Sequence, residues 1–536
     1  MQIGAGEHAR EVEHANRRER HVSIVARRNS RSRCGGTNTI LRVSSPPAFA
    51  TLQTKLGEIV DLVKTSALLG WDQQTQMPPL GAEARAQQLG TVGRLAHEAF
   101  VSDEVGGLLE ELRPYAESLD PDSFEASLVR VVQRDYDKSV RVPPELSAEI
   151  TRAGSRGFGI WVEARTKSDY ELFRPALEEL VELKHRYVDC FPPAEDPYDT
   201  LLDDYEPGMK TAEVRTIFDR LKEELIPLIE AARSSATPPV IGRYPAATQR
   251  QLSLEVLQRF GFDHTAWRID TAAHPFATSL STSDIRITTR EPEDSLDGLF
   301  AMMHECGHGL YENGVDPALE RTPLARGASL GLHESQSRLW ENLVGRSRAF
   351  WSWFYPRVQA TFPSELGDVD EETWFRSIND VRPGLIRIEA DEASYNLHII
   401  LRFELEQQIM GGLDLRDLPQ VWNEAIANYL GVEVPDDAHG VLQDVHWSRG
   451  GFGYFPTYSL GNVMSLQIWE RLREDVGDVD EQIGQGEFGA IREWLRDNLH
   501  RHGRKYLPAE TLERAVGATI DPEPYLRYLQ GKLAAA

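Results

Sequence analysis

The sequence predicts a mainly α-helical fold, a single large helical domain running from residue 48 to residue 536. Three observations predict it. Apolar residues recur at three- and four-residue spacing along most of the chain, as one buried face of a helix requires. Pro and Gly separate these stretches at regular points. Only one segment, 276–290, breaks the pattern, being rich in Thr and Ile. At 536 residues, 41% hydrophobic and 26% charged, the chain has ordinary globular composition and length enough to bury a large core.

The elements follow in order. Leu52, Leu56, Ile59, Val60 and Val63 mark one helical face, and the same periodicity runs through 82–100, 122–139, 173–191, 211–234 and 390–411. Breaks fall at Pro78-Pro79, Pro143-Pro144, Pro192-Pro193 and Pro207-Gly208. Residues 276–290 read as a short β-hairpin turning at Ser283-Asp284. A helix should then start among Pro292, Glu293, Asp294 and Ser295. Asn313-Gly314 should end it, with the glycine as a left-handed cap.

Composition excludes several classes of function. The formal charge of -26 speaks against nucleic-acid binding, which needs basic surface to neutralise phosphate. No apolar run has the length of a membrane span, so no membrane partner is expected. Cys34, Cys190 and Cys306 are scattered, which argues against a disulfide framework and suits the reducing cytoplasm. Residues 1–47 differ from the rest. Nine Arg stand against four Glu there, so the segment is net +5 and the remainder -31. It lacks the apolar stretch of a secretory signal, and its glutamates count against a transit peptide. The expectation is a disordered extension outside the domain.

Within the helix after the hairpin lies His304-Glu305-Cys306-Gly307-His308. Residues four apart share a helical face, so His304 and His308 can both reach one zinc ion at ~2.0–2.1 Å. Glu305 then projects beside the metal, where it can take a proton from bound water. The helix tolerates Gly307 and Gly309, each costing ~1 kcal/mol relative to Ala, which suggests that something packs closely there. A catalytic zinc needs a third protein ligand. Tyr311 and Gly314 occupy the places where a metzincin continuation would stand, so that ligand lies elsewhere. His333-Glu334-Ser335-Gln336 opens the next helical pattern, through Leu339, Trp340 and Leu343. Either His333 or Glu334 has suitable chemistry.

These motifs, together with others, resemble the carboxypeptidase Taq family of metallocarboxypeptidases. The resemblance covers residue 50 to the C-terminus. It is carried by His274-Pro275-Phe276, Asp284-Ile285-Arg286-Ile287-Thr288, His304 to His308, His333 to Gln336, Ile386-Arg387-Ile388-Glu389-Ala390-Asp391, and Gly440 with Gln443-Asp444-Val445-His446-Trp447. Gly70-Trp71-Asp72-Gln73-Gln74 and Tyr205-Glu206-Pro207-Gly208-Met209 look similar too. The resemblance implies Glu334 as the third ligand, one zinc per chain replaceable by cobalt, a neurolysin-like fold with a deep groove, and a homodimer. It also implies stepwise removal of C-terminal residues from peptides, with broad specificity and poor tolerance of proline. The alternatives on the same scaffold are an endo-acting or dipeptide-releasing peptidase, or an inactive peptide-binding protein.

Hydrolysis creates an oxyanion that needs donors. His446 and Tyr458 resemble a His and Tyr pair of the neurolysin-like oligopeptidases, with Tyr454 a further candidate nearby. A carboxypeptidase must also hold a free carboxylate, for which the planar fork of arginine is suited. Arg387 and Arg286 are the candidates, although Asp284 or Asp391 could pair with them. His274 should shape the groove wall.

Overall fold

Long helices make up most of the computed structural model, which describes residues 45–232 and 240–535. The periodic segments become Pro47–Thr75, Ala82–Phe100, Phe124–Arg141, Tyr170–Val188, Thr211–Ala232 and Tyr395–Met410. The last residues expected of the 211–234 helix lie outside the described residues. From Pro46 onward the described residues form one unit. Residues 1–44, and with them nearly all of the Arg-rich segment, lie outside the described residues. Among the described residues no helix is long and apolar enough to cross a membrane.

The expected hairpin forms. Strand β1 (Trp267–Thr271) precedes β2 (Ala277–Ser281) and β3 (Asp284–Thr289). The β2–β3 turn uses Thr282 and Ser283, so Asp284 begins the strand instead of closing the turn. The sheet has the order β1-β3-β2, with β1 parallel to β3. Sequence reading missed β1, because a five-residue strand in a parallel pair has no local turn to mark it. Its register sets Trp267 opposite Ile285 and Ile269 opposite Ile287.

The helix that follows spans Asp297–Gly314, not starting at Pro292–Ser295. Those residues are engaged elsewhere: Tyr244 N donates to Glu293 O at 2.8 Å, and Gln249 Nε2 donates to Pro292 O at 2.5 Å. The expected left-handed cap is also absent. Gly314 is the last helical residue and is not among the positive-φ glycines. It serves a close approach instead, since a Cβ there would lie 2.6 Å from His500.

Met302, Met303, Cys306 and Leu310 of this helix are buried in the main core. Side chains of this size stabilise by roughly 1.5–3 kcal/mol each when fully buried. The opposite face carries the polar motif. Gly307 lets a second helix, Leu330–Arg338, cross at touching distance. A Cβ at Gly307 would sit 2.6 Å from Gln336 O, which accounts for a glycine that helix propensity disfavours. Ser329 caps this second helix through Leu332 N at 3.1 Å. Tyr205 O and the Glu206 carboxylate accept from Leu330 N and Gly331 N. The helix then widens into a π turn at Leu339–Val344, a feature common at functional sites. A third helix, Pro456–Val476, closes over Glu334 at Gly461, where a Cβ would lie 2.7 Å from the Glu334 side chain.

Candidate metal centre

His304 and His308 lie one turn apart on the first helix, and Glu334 faces them from the second. One ligand atom from each falls within 4.8 Å of the others. Glu334 Oε2 is 3.7 Å from His304 Nε2 and 3.5 Å from His308 Nε2. Ligand atoms ~2.0–2.2 Å from a tetrahedral ion lie about 3.3–3.6 Å apart, so the donor set fits a zinc-sized cation with little movement.

The hydrogen bonds behind the ligands support that fit. His304 Nδ1 lies 2.9 Å from Glu341 Oε2, so it donates to the carboxylate and leaves Nε2 with its lone pair toward the centre. His308 Nδ1 lies 3.1 Å from His333 O and 2.6 Å from His333 Nδ1. Both acceptors hold the proton on Nδ1 and again free Nε2. His333 Nε2 in turn donates to Glu312 Oε1 at 3.0 Å. Carboxylate and carbonyl partners of this kind orient metal-bound imidazoles. His333 thus points away from the three ligand atoms and stands behind His308.

Arg338 joins the two acidic partners. Its Nε donates to Glu334 Oε1 at 2.7 Å, and Nη1 donates to Glu341 Oε2 at 3.3 Å. Its guanidinium lies over the Tyr395 ring, 4.5 Å from the centroid. Sequence reading missed Arg338 and Glu341. Their positions, four and seven residues after Glu334, put them on its helical face, and that spacing was the available signal.

His304 and Glu334 line a cavity of about 860 Å³. Glu305 lines it beside the ligands, and burial pushes its carboxyl up to about 7. His274, Arg387 and Tyr458 also line it. Tyr458 Oη is 3.3 Å from His446 Nε2. Burial pushes His446 down to about 4 against the pull of Asp444, so the ring is neutral near pH 7. Tyr454 packs against both, with ring centroids 5.2 Å from each.

The two candidate arginines have different surroundings. Arg387 is buried. Burial opposes its charge, but Asp444 holds it, accepting from Nε at 2.9 Å and lying 2.8 Å from the second terminal nitrogen. Its Nη1 donates to Tyr395 Oη at 3.1 Å. Asp444 also accepts from the fully buried Arg402 at 2.6 Å. Arg286 stands apart from the cavity lining. It makes a two-pronged pair with Asp284, 3.0 Å on each prong, and lies 4.4 Å over the Trp71 ring, with Arg268 at 4.7 Å from the same ring. Trp71 thereby ties helix Pro47–Thr75 to the sheet.

Known proteins resemble this chain over most of its length. The family model described as Carboxypeptidase Taq (M32) metallopeptidase matches residues 51–533. Thermostable carboxypeptidase 1 of Thermus thermophilus is 41% identical over 503 residues, covering 91% of this chain and 98% of that protein. Carboxypeptidase 1 of Bacillus subtilis is 37% identical over 472 residues, covering 87% and 94%. Among solved structures, an M32 carboxypeptidase from Deinococcus radiodurans superposes with a TM-score of 0.88 at 38% identity, covering 91% and 99%.

Proposed function

The chain belongs to the carboxypeptidase Taq family of metallopeptidases and is a metallocarboxypeptidase, and we propose that it works with one zinc ion held by His304, His308 and Glu334, releasing C-terminal residues from peptides one at a time. The observation that carries this reading is the donor set itself, with each imidazole's second nitrogen held by an acceptor, opening onto a cavity that Arg387 and Tyr458 line. When bound, zinc supplies Lewis acidity that polarises the scissile carbonyl and makes water nucleophilic near neutral pH. Cobalt substitutes for it in this scheme.

The chain's own residues do the rest. Glu305 takes the proton released by the attacking water and passes it to the leaving amine. Tyr458 donates its hydroxyl proton to the developing oxyanion, and neutral His446 either holds that hydroxyl or donates beside it. Tyr454 keeps both rings in place. Arg387 has five N–H donors. Three are engaged by Asp444 and Tyr395, and the other two are suited to the substrate's terminal carboxylate. Arg286, held by Asp284 and Trp71, serves that role less well. His274 shapes the wall that the substrate chain passes.

The reading extends to a broad choice of C-terminal residue with proline disfavoured, a cytoplasmic location, a homodimer, and peptides as the partners rather than nucleic acid or membrane. The test is product analysis by mass spectrometry on one peptide with a free and an amidated C-terminus, with and without chelator. Single-residue losses from the free end alone, abolished by chelator and restored by zinc, are expected. Internal cuts, or equal cleavage of the amide, would replace exo-action by the endo-acting reading.

A further inference from the structure

The last helix of the chain, Glu523–Ala535, supplies part of the catalytic cavity. Leu529, Lys532 and Leu533 line it, as does Glu392. Lys532 Nζ donates to Glu392 Oε2 at 2.5 Å and lies 2.9 Å from Tyr528 Oη. The two charged side chains are each 11% exposed, so each has given up most of its water. Glu392 comes five residues after Arg387.

Such a pair is a poor device for fixing a helix. Desolvation of two ions offsets most of their attraction, and an apolar pair of similar volume would pack at least as well. The anchoring is also present without it. Tyr525 Oη donates to Glu392 O at 3.0 Å and accepts from Asn396 Nδ2 at 2.7 Å. The surroundings put the pair on a definite side of the cavity. Its electrostatic neighbours are Arg346 and Glu341. Arg346 lies over the ring of Phe300, 4.0 Å from its centroid, and Phe300 precedes His304 by one turn and lines the same cavity.

We propose that Lys532 and Glu392 are specificity-determining residues: a charge-balanced wall that faces the side chain of the residue being released. This rests on the function proposed above. With both charges present, the wall's field on an incoming side chain is that of a close dipole and falls off steeply. Acidic, basic and apolar C-terminal residues then enter on nearly equal terms. Removing either charge leaves a full unit charge on a side chain that has given up most of its water.

The proposal requires opposite shifts from the two single variants. The measured quantity is the ratio of kcat/KM for two free-ended peptides alike except for Arg or Glu at the C-terminus. Lys532→Met, which leaves Glu392 alone, should raise the Arg/Glu ratio. Glu392→Gln, which leaves Lys532 alone, should lower it. Each shift should be about a thousandfold or more, because a unit charge acting over ~6–8 Å at an effective dielectric near 20 changes each of the two peptides by roughly thirty- to a hundredfold, in opposite directions. The double variant should return toward the wild-type ratio. The same Arg-for-Glu exchange at the penultimate position should move the ratio much less. Glu392→Met substitutes for Glu392→Gln should the latter fold poorly, and should lower the ratio in the same way. Unmoved ratios with lowered melting temperatures would overturn the proposal and leave the pair as a tether of the last helix. Shifts in the same direction, or larger shifts at the penultimate residue, would overturn it as well. A wild-type enzyme that released no single residues would overturn the proposed function first, and this inference with it.

Discussion

The two faces of the cavity are built differently. The metal face comes from two crossing helices, Asp297–Gly314 and Leu330–Arg338 with its π extension. Within 45 residues it contains both histidines, Glu305, Glu334, Arg338 and Glu341. Nearly every polar atom there is committed to another, in the chain from Glu341 through Arg338 to Glu334 and in the one from His308 through His333 to Glu312. The other face draws Arg387, Tyr395 and Tyr458 to the cavity from separate segments, with Asp444 behind Arg387 and His446 behind Tyr458. In the proposed function the first face holds the ion and the base with little freedom. In the same proposal the second offers its remaining donors to a substrate. Damage to the metal face should therefore affect every substrate alike, whereas damage to the other face should depend on which substrate is offered.

The largest effect expected is on the metal face. Glu305→Gln should keep the metal and lose about 10²- to 10⁴-fold in turnover on every peptide, because only the proton transfer is removed. Metal analysis together with kcat on two unlike peptides checks this, and a substrate-dependent loss would break the distinction between the faces. A smaller effect is expected one step behind the ligands. Glu312 accepts from His333 Nε2, Gly327 N and Ser279 Oγ, and Lys64 donates to Ser279 in turn. Glu312→Gln should weaken zinc binding by roughly 10- to 100-fold, measured by chelator competition, with apo-protein melting little changed. Unaltered zinc affinity would confine the metal face to its three ligands and the base.

Buttressing of the ligand helix gives a third test, in pH. Glu206 is buried at the start of that helix, one of its oxygens has no partner, and burial raises its pKa to about 7. A folded-state pKa above the unfolded value means that the associated stability is complete below about 4.5 and lost as pH rises through about 7. The loss amounts to roughly 3 kcal/mol, from a shift of two to three units. Glu206→Gln should therefore flatten the fall in stability across that window in denaturant titrations at several pH values. An identical pH slope in the variant would mean that Glu206 is ionised throughout. The smallest effect is expected from removing residues 1–44. An Arg-rich segment poor in apolar residues has little to bury, so melting temperature and kcat/KM should stay within error. A large drop in either would bring that segment into the domain.

The contrast between the faces also explains what the sequence disclosed. The metal face was legible because its information is local. His304, Glu305 and His308 follow from helical spacing, and the unfavourable Gly307 pointed to something packed closely, which is the crossing helix. His333 and Glu334 stayed equivalent on chemistry alone, because adjacent residues on a helix differ by ~100° in direction and only the crossing angle decides which faces the ion. The other face was legible only as motifs. That Arg387 meets Asp444 depends on long-range packing, whereas the pairing of Arg286 with Asp284, two residues away on one strand, was among the alternatives the sequence offered. Lys532 gave no signal, since a lysine four residues from a C-terminus looks like solvated charge. Gly314 was misread as a cap because its reason is His500, nearly two hundred residues away.

The most direct test of the division is a comparison of the two arginines. Arg387→Ala and Arg286→Ala are assayed by kcat/KM on matched peptides with free and amidated C-termini. Arg387→Ala should lose about 2–5 kcal/mol of transition-state stabilisation on the free peptide and far less on the amide. Arg286→Ala should lose little on either, with at most a modest drop in melting temperature as Trp71 loosens. Equal losses on both peptides for Arg387→Ala would contradict the account and make that arginine a structural partner of Asp444 alone.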